Sequence, residues 1–164
     1  MADVATVDLA AARSQVRPAE PSDMAAIRAC LEASDLTLAG VGSTDLRLFV
    51  LQTRAGQTAG VTGYEIAGSH ALVRSVAVAP AMRGHGLGGL LAELAFDHAT
   101  GSGAHQLWLF ARRTGAFWQR LGFRLTPTDE LVTVLRHTQQ VSHFMETGQV
   151  DREIAWTRAA IWPT

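Results

Sequence analysis

Cysteine is almost missing from this chain: Cys30 is the single one in 164 residues. No internal disulfide can form, and no cysteine cluster exists to hold a metal. Within a helical pattern Cys30 reads as a small buried hydrophobe and not as a reactive thiol. Long apolar runs are missing too. None reaches the ~18 residues of a transmembrane helix, so no membrane partner is expected. Charge of one sign is also lacking. The formal net charge is -1, and among the 14 basic residues only Arg112 and Arg113 are adjacent. Neither nucleic acid nor an anionic membrane is offered a patch. Residues 1–14, MADVATVDLAAARS, carry Asp3 and Asp8 and no basic segment ahead of an apolar one, so they do not read as a signal peptide. They are expected to be a flexible tail, and the cytoplasm is the expected compartment. No internal repeat and no low-complexity segment interrupts the rest. A composition of 48% hydrophobic and 18% charged residues suits one soluble domain over residues 15–164.

The pattern along the chain predicts α+β. SQVRPAE reads as a short first strand. Pro21-Ser22-Asp23 is a helix-start signal, followed by Met24, Ile27 and Leu31 at helical spacing. LRLFVLQTRAG and QTAGVTGYEIAG predict two strands around the Ala55-Gly56 turn. HALVRSVAVAP predicts a third, ended by Pro80, with Arg74, Val76 and Val78 alternating onto one face. Leu87, Leu90, Leu91, Leu94, Ala95 and His98 form a helical stripe that stops at Gly101-Ser102-Gly103. HQLWLFA is a short buried strand, TGAFWQRLG a short helix, and FRLT a returning strand. TDELVTVLRHTQQVSHFMET reads as mostly helical, and EIAWTRAAI leans to a last strand.

The segment VAVAPAMRGHGLGGLLAEL, residues 76–94, places Gly84, Gly86, Gly88 and Gly89 where a strand gives way to a helix. A helix N-terminus exposes about four unpaired N–H groups and roughly half a positive charge, a ready site for a phosphate. Glycine lets the backbone approach closely and permits the positive φ that turns several N–H groups onto one anion. Arg83 adds a positive charge at the rim, and His85 lies within the loop. A plain strand-to-helix turn is the alternative use of such glycines. The loop is not a P-loop, which needs Gly-Lys-Ser/Thr at its end. Nor is it a dinucleotide fingerprint, which follows the first strand and is answered by an acidic residue about 20 positions on.

SVAVAPAMRGHGLGGLL resembles the acyl-CoA motif of the GNAT superfamily of N-acetyltransferases: a strand, then Arg/Gln-x-x-Gly-x-Gly/Ala, then a helix. Arg83, Gly86 and Gly88 match it directly. TGAFWQRLGF resembles the family's second signature, a short helix ending in Gly-Phe, here Gly122-Phe123. The resemblance covers about Val16 to Ile161. It implies a mixed, mostly antiparallel sheet with two splayed central parallel strands and flanking helices. It also implies acetyl-CoA as co-substrate. Pantetheine would pair with the strand edge at Val76, Ala77 and Val78. Pyrophosphate would lie on Arg83, Gly84, His85, Gly86, Leu87, Gly88 and Gly89. Phe117 and Trp118 would wall the channel. The acceptor would be the amine of a small molecule, attacking the thioester directly, with catalysis mainly by proximity and by a backbone N–H at Val76 or Val78. No metal is implied, and monomer or homodimer are equally open.

Two positions depart from the family. The glutamate that often serves as base falls here on or near Leu72, and the tyrosine that often serves as acid falls at Trp118. Three readings stay open. An acceptor of low amine pKa needs no strong base, water relaying the proton. A substitute acts, from Tyr64, Glu65, His70 or His105, with Tyr64 and Glu65 taken as the catalytic candidates. Or the chain is a catalytically silent GNAT-fold CoA-binding module. Arg74 requires an anionic partner on an apolar strand. Either Glu65 pairs with it internally, or it clamps a carboxylate or oxyanion of the substrate. ALVRSVAVAP with LRHTQQV is similar to the arsenic-resistance type of N-acetyltransferase, which implies a small amino-acid-like acceptor. Trp108 and Phe110 read as core, and Trp156 and Trp162 as sheet packing or a dimer contact.

Overall fold

The computed structural model describes residues 7–160; Trp162 and the first part of the expected tail lie outside them. The rest of that tail is largely helical. Residues Leu9–Gln15 form helix α1, capped by Asp8, whose carboxylate accepts from Ala10 N and Ala11 N at 3.0 and 3.2 Å. Ala12 buries against Leu87, Leu90, Leu91 and Leu94. A capped first turn and one apolar face were enough to order it.

The remaining elements follow the predicted order with three adjustments. Strand β1 shrinks to Arg17–Pro18, since Pro18 has no N–H to continue a ladder. A 3-10 turn at Pro21–Asp23 then leads into α2, Met24–Ala33. The strands β2 Leu46–Gln52, β3 Thr58–Ala67 and β4 His70–Val78 form a meander. Helix α3, Leu87–Gly101, β5 Gln106–Phe110, α4 Gly115–Arg120 and β6 Arg124–Thr126 come next. The long helical stretch divides into α5 Thr128–Leu135 and α6 Gln139–Thr147. Thr138 divides it: its backbone is extended (φ -68°, ψ 154°), and its hydroxyl accepts from Val141 N and donates to Leu135 O. Strand β7, Ala155–Ala159, is the last of the described elements.

Among the described residues the strands form one seven-stranded sheet, in the order β1-β2-β3-β4-β5-β7-β6. Every pairing is antiparallel except β4 with β5. The alternation of β2 sorts the layers. Leu46, Leu48 and Val50 face Ile27 and Leu31 of α2, while Phe49 and Leu51 face the side of α1 and α3. Helices α5 and α6 cover the α2 side further along, where Leu131, Leu135 and Val141 meet Leu72.

A β-bulge in β4 overturns the expected alternation of Arg74, Val76 and Val78. Gly63 pairs with Arg74 and Val61 with Ala77, so one residue of β3 faces two of β4, and Ser75 takes φ +60°. The extra residue reverses the parity of the strand. Leu72, Arg74 and Ala77 lie on the α2 and α6 face. Val73, Val76 and Val78 lie on the α3 face. The pattern had put Arg74 beside the two valines because period 2 cannot show an inserted residue.

Candidate functional site

The parallel pair opens into a V. β4 and β5 are paired only from His70–Leu72 with Gln106–Trp108. Past Leu72 the bulge bends β4 away, while β5 stays bound to β7 through Phe110 and Ala155. Ala79 N donates to Ala59 O at 2.8 Å. Alternation therefore turns the backbone groups of Val78, next in the strand, towards the open side. A cavity of about 530 Å³ fills the opening. β4 from Val73 to Val78 forms one wall and Leu109 to Thr114 the other. Trp118, Gln140, Phe144 and Glu153 close it elsewhere.

The glycine loop lies at the end of β4. Gly84 and Gly86 have φ of +85° and +81°, and Gly86 is the residue ahead of α3, with no side-chain cap. The first bond across that turn is Leu90 N to Gly86 O at 3.3 Å. The N–H groups of Leu87, Gly88 and Gly89 thus stand at the head of a 15-residue helix without an intrahelical acceptor. A Cβ on Gly84 or Gly89 would meet nothing within 4 Å, and one on Gly88 would lie 3.8 Å from the Phe117 ring. The approach to these N–H groups is open, which fits an anionic group. Leu87 contributes backbone only, because its side chain is in the core. His85 is half-buried. Arg83 is held by neighbours: Nε donates to Val78 O at 3.1 Å and Nη2 to Ser34 Oγ at 3.2 Å. It ties the end of β4 to the end of α2. Phe117 packs beside Gly88, and Trp118 lines the cavity with its Nε1 donating to Thr114 Oγ1 at 3.1 Å.

The two catalytic candidates are placed elsewhere. Tyr64 faces α3, 2% exposed, its hydroxyl 3.2 Å from Ser102 Oγ. It is on the opposite face of the sheet from Glu65, as strand alternation requires. Glu65 does not line the cavity. Its carboxylate accepts from Arg74 Nη1 at 3.1 Å, from Gln139 N at 2.6 Å and from Gln140 N at 3.2 Å. A carboxylate so occupied at the head of α6 anchors that helix. His70 accepts from Trp108 Nε1 at 3.0 Å, away from the opening. His105 likewise does not border the cavity.

Arg74 pairs with Glu65, each side chain 1% exposed, and it also lines the cavity. Burial pushes its pKa down, and the Glu65 carboxylate pushes it up. Its Nε donates to Ser75 Oγ, while Nη2 is buried without a partner. Gln140, on the same cavity wall, has a buried and unpartnered Oε1.

Glu153 and Gln140 escaped the sequence reading. The Glu153 carboxylate, 6% exposed, pairs with Arg112 Nε at 3.3 Å and accepts from Gln149 Nε2 at 2.9 Å. Among the described residues, the only acidic ones bordering the cavity are Glu153 and Asp35, the latter in an exposed ion pair with Arg113. A lone carboxylate ahead of a strand carries no signal in sequence, and the helix that carries Gln140 is brought to the site only by folding.

Comparison with known proteins agrees with this geometry. A search of curated proteins finds no match. Among solved structures, N-acetylglutamate synthase from Neisseria gonorrhoeae, complexed with coenzyme A and N-acetyl-glutamate, is similar over 90% of this chain at 18% identity and TM-score 0.71. This chain covers 35% of that synthase. Rv2747 from Mycobacterium tuberculosis, in complex with CoA, is similar at 20% identity and TM-score 0.66 over 88% of this chain and 98% of that one. A GNAT-family acetyltransferase from Staphylococcus aureus Mu50 gives TM-score 0.70 at 9% identity, covering 89% and 98%. These likenesses show the fold. The family model described as acetyltransferase (GNAT) domain matches residues 44–125, which is half of the chain and contains the meander, the V, the glycine loop and the Gly-Phe turn. This chain belongs to the GNAT acetyltransferase family.

Proposed function

We propose that the protein moves the acetyl group of acetyl-CoA to the amine of a small molecule by direct attack. The observation that carries this reading is the V between β4 and β5, with unpaired strand edge on one wall and the open head of α3 at its end. When bound, acetyl-CoA supplies the activated acyl thioester. The backbone of Val76 and Val78 would hold pantetheine as an added strand. The N–H groups of Leu87, Gly88 and Gly89 would hold pyrophosphate, with Phe117 and Trp118 beside the channel. An N–H on the open edge of β4 is the donor available to a carbonyl oxygen in the cavity.

An attacking amine must be neutral. Leu72 cannot take its proton and, with its side chain in the core, does not reach the site. Trp118 cannot return one to the leaving thiolate. The cavity is open to solvent, and Glu153 lies in its wall. These features support an acceptor of low amine pKa whose proton leaves through water. The test is release of CoA thiol from acetyl-CoA across a panel of small amines. We expect saturable release with at least one of them, its rate rising with pH through the pKa of that amine. The chain contains no lysine, so acetylation of its own lysine side chains cannot supply the signal. If ATP or NAD raised the melting temperature and acetyl-CoA did not, the donor assignment would fail.

Leu72 and Trp118 also support a second reading, a CoA-binding module without transfer activity. Tight acetyl-CoA binding with no turnover on any amine would select it, and steady thiol release would exclude it.

A further inference from the structure

Three described carboxylates are withdrawn from water: Asp23 and Glu153, with side chains 6% exposed, and Glu65 at 1%. The other described acidic residues are exposed. Asp23 and Glu65 have both oxygens met. Asp23 accepts from Arg17 on each oxygen. Glu65 accepts from Gln139 N on Oε1 and from Arg74 and Gln140 N on Oε2. Glu153 differs. Its Oε1 takes both of its contacts, Arg112 Nε at 3.3 Å and Gln149 Nε2 at 2.9 Å. Among the described residues, the side-chain atoms closed to solvent without a partner are Arg74 Nη2 and Gln140 Oε1. Glu153 Oε2 has no described donor and is not one of them, so it is unpaired and still reachable.

Glu153 lines the cavity in the V. Its backbone is fixed beside the end of the β5 wall, since Ala111 N donates to Ile154 O at 2.9 Å. The rest of the cavity offers little else to take a proton. No described histidine, cysteine or tyrosine borders it, and the chain contains no lysine. Asp35 borders it, but that side chain is 77% exposed and paired with Arg113 at 3.3 Å. A carboxylate with one oxygen pinned and the other bare is oriented and can still accept a proton. We infer that Glu153 Oε2 is the proton acceptor for the attacking amine. The neutral nitrogen bonds to the thioester carbonyl carbon and becomes cationic in the tetrahedral adduct. Its proton passes to Glu153 Oε2 and from there to water. The C–S bond then breaks, the carbonyl re-forms, and the CoA thiolate takes up a proton from solvent. Arg112 and Gln149 are positioning residues: they hold Oε1 and leave Oε2 free.

This inference rests on the acetyltransferase reading, and the activity of the parent separates the two failures. With an amine that the parent acetylates, Glu153→Gln should lower kcat by about a hundredfold or more, the usual worth of a positioned base. Its acetyl-CoA affinity by calorimetry and its melting temperature should stay near those of the parent, because the amide keeps an oxygen for Arg112 and Gln149. Glu153→Ala should be equally slow and should regain rate as formate is added at constant ionic strength, since a free carboxylate can then enter the space. A role in binding a cationic acceptor would instead raise the acceptor KM and leave kcat alone, with no response to formate. That pattern would overturn the proposal, as would an unchanged kcat/KM in Glu153→Gln. A parent that binds no acetyl-CoA, or releases no thiol with any amine, would overturn the acetyltransferase reading itself.

Discussion

Arg74 and Glu65 are held out of water at 1% exposure each. Such a pair is costly to desolvate and costlier to break. Arg74→Met would leave the Glu65 carboxylate with two backbone N–H donors, from Gln139 and Gln140, and no counter-charge. We expect a loss of about 3–5 kcal/mol in folding stability, read from denaturant titration. Adding Glu65→Gln to that variant should restore part of it: the neutral amide no longer needs a cation, but its NH₂ faces one of the two backbone N–H donors that the carboxylate accepted from. A full loss in the double variant would show that Arg74 matters through packing alone. The sequence made Arg74 conspicuous, since a charge on an apolar strand demands an anion, and Glu65 was one of its named partners. The amides of α6 were not visible, because Gln139 and Glu65 are separated by 74 positions and no local pattern joins them.

At the scale of the element, the loop ahead of α3 and the turn ahead of α2 each rest on one side chain or its lack. Gly86 has φ +81°, and an added Cβ would lie 3.4 Å from Leu9 Cδ1. Gly86→Val should weaken acetyl-CoA binding by at least about tenfold through the displaced N–H groups. The left-handed backbone would cost about 1–2 kcal/mol, which leaves the fold intact. Unchanged affinity by calorimetry would remove pyrophosphate from this loop. Ahead of α2, Asp23 accepts from both Arg17 guanidinium nitrogens, at 2.7 and 2.9 Å, and from Glu20 N at 2.7 Å. Chiefly through Arg17, its pKa is lowered to about 2 from 3.8. A depressed carboxylate stabilises the folded state above its unfolded pKa and ceases to as pH falls through its folded one. The melting temperature of Asp23→Asn should therefore lie below that of the parent above pH 4. The gap should close between about pH 4 and pH 2. A gap that persisted at pH 2 would assign Asp23 a role unrelated to its charge.

Element periodicity was legible in the strands and in α3, where buried faces repeat over many residues. It failed at two points. The bulge in β4 inserts a residue and reverses which face Arg74 shares with Val76 and Val78. Thr138 divides what reads as one helix, because a hydroxyl that caps α6 competes with continued helix at that residue.

Across the whole molecule, α1 joins the described fold to the loop that would bind CoA. Ala12 packs with Leu87, Leu90, Leu91 and Leu94, and Leu9 approaches Gly86. Removing residues 1–15 would uncover this apolar surface at the head of α3. We expect a lower melting temperature and weaker acetyl-CoA binding together. The exposed Arg13–Asp97 pair, at 2.7 Å, should contribute little, since surface ion pairs are worth about 0–1 kcal/mol. The loss on truncation should accordingly be nearly independent of salt. A truncated chain with unchanged affinity would confine the role of α1 to stability.

The sequence alone determined the sheet-and-helix order, the family and the glycine loop at the head of α3, because the Arg83–Gly89 loop is continuous in the chain and its conformation depends on backbone freedom. The tertiary structure decided which other residues meet around the cavity. It set Tyr64 and Glu65 on opposite faces, reversed the face of Arg74 through a bulge, and brought Gln140 and Glu153 from distant segments to one cavity wall. Those positions depend on strand parity and on contacts between residues far apart in the chain, which a pattern read along one segment does not contain.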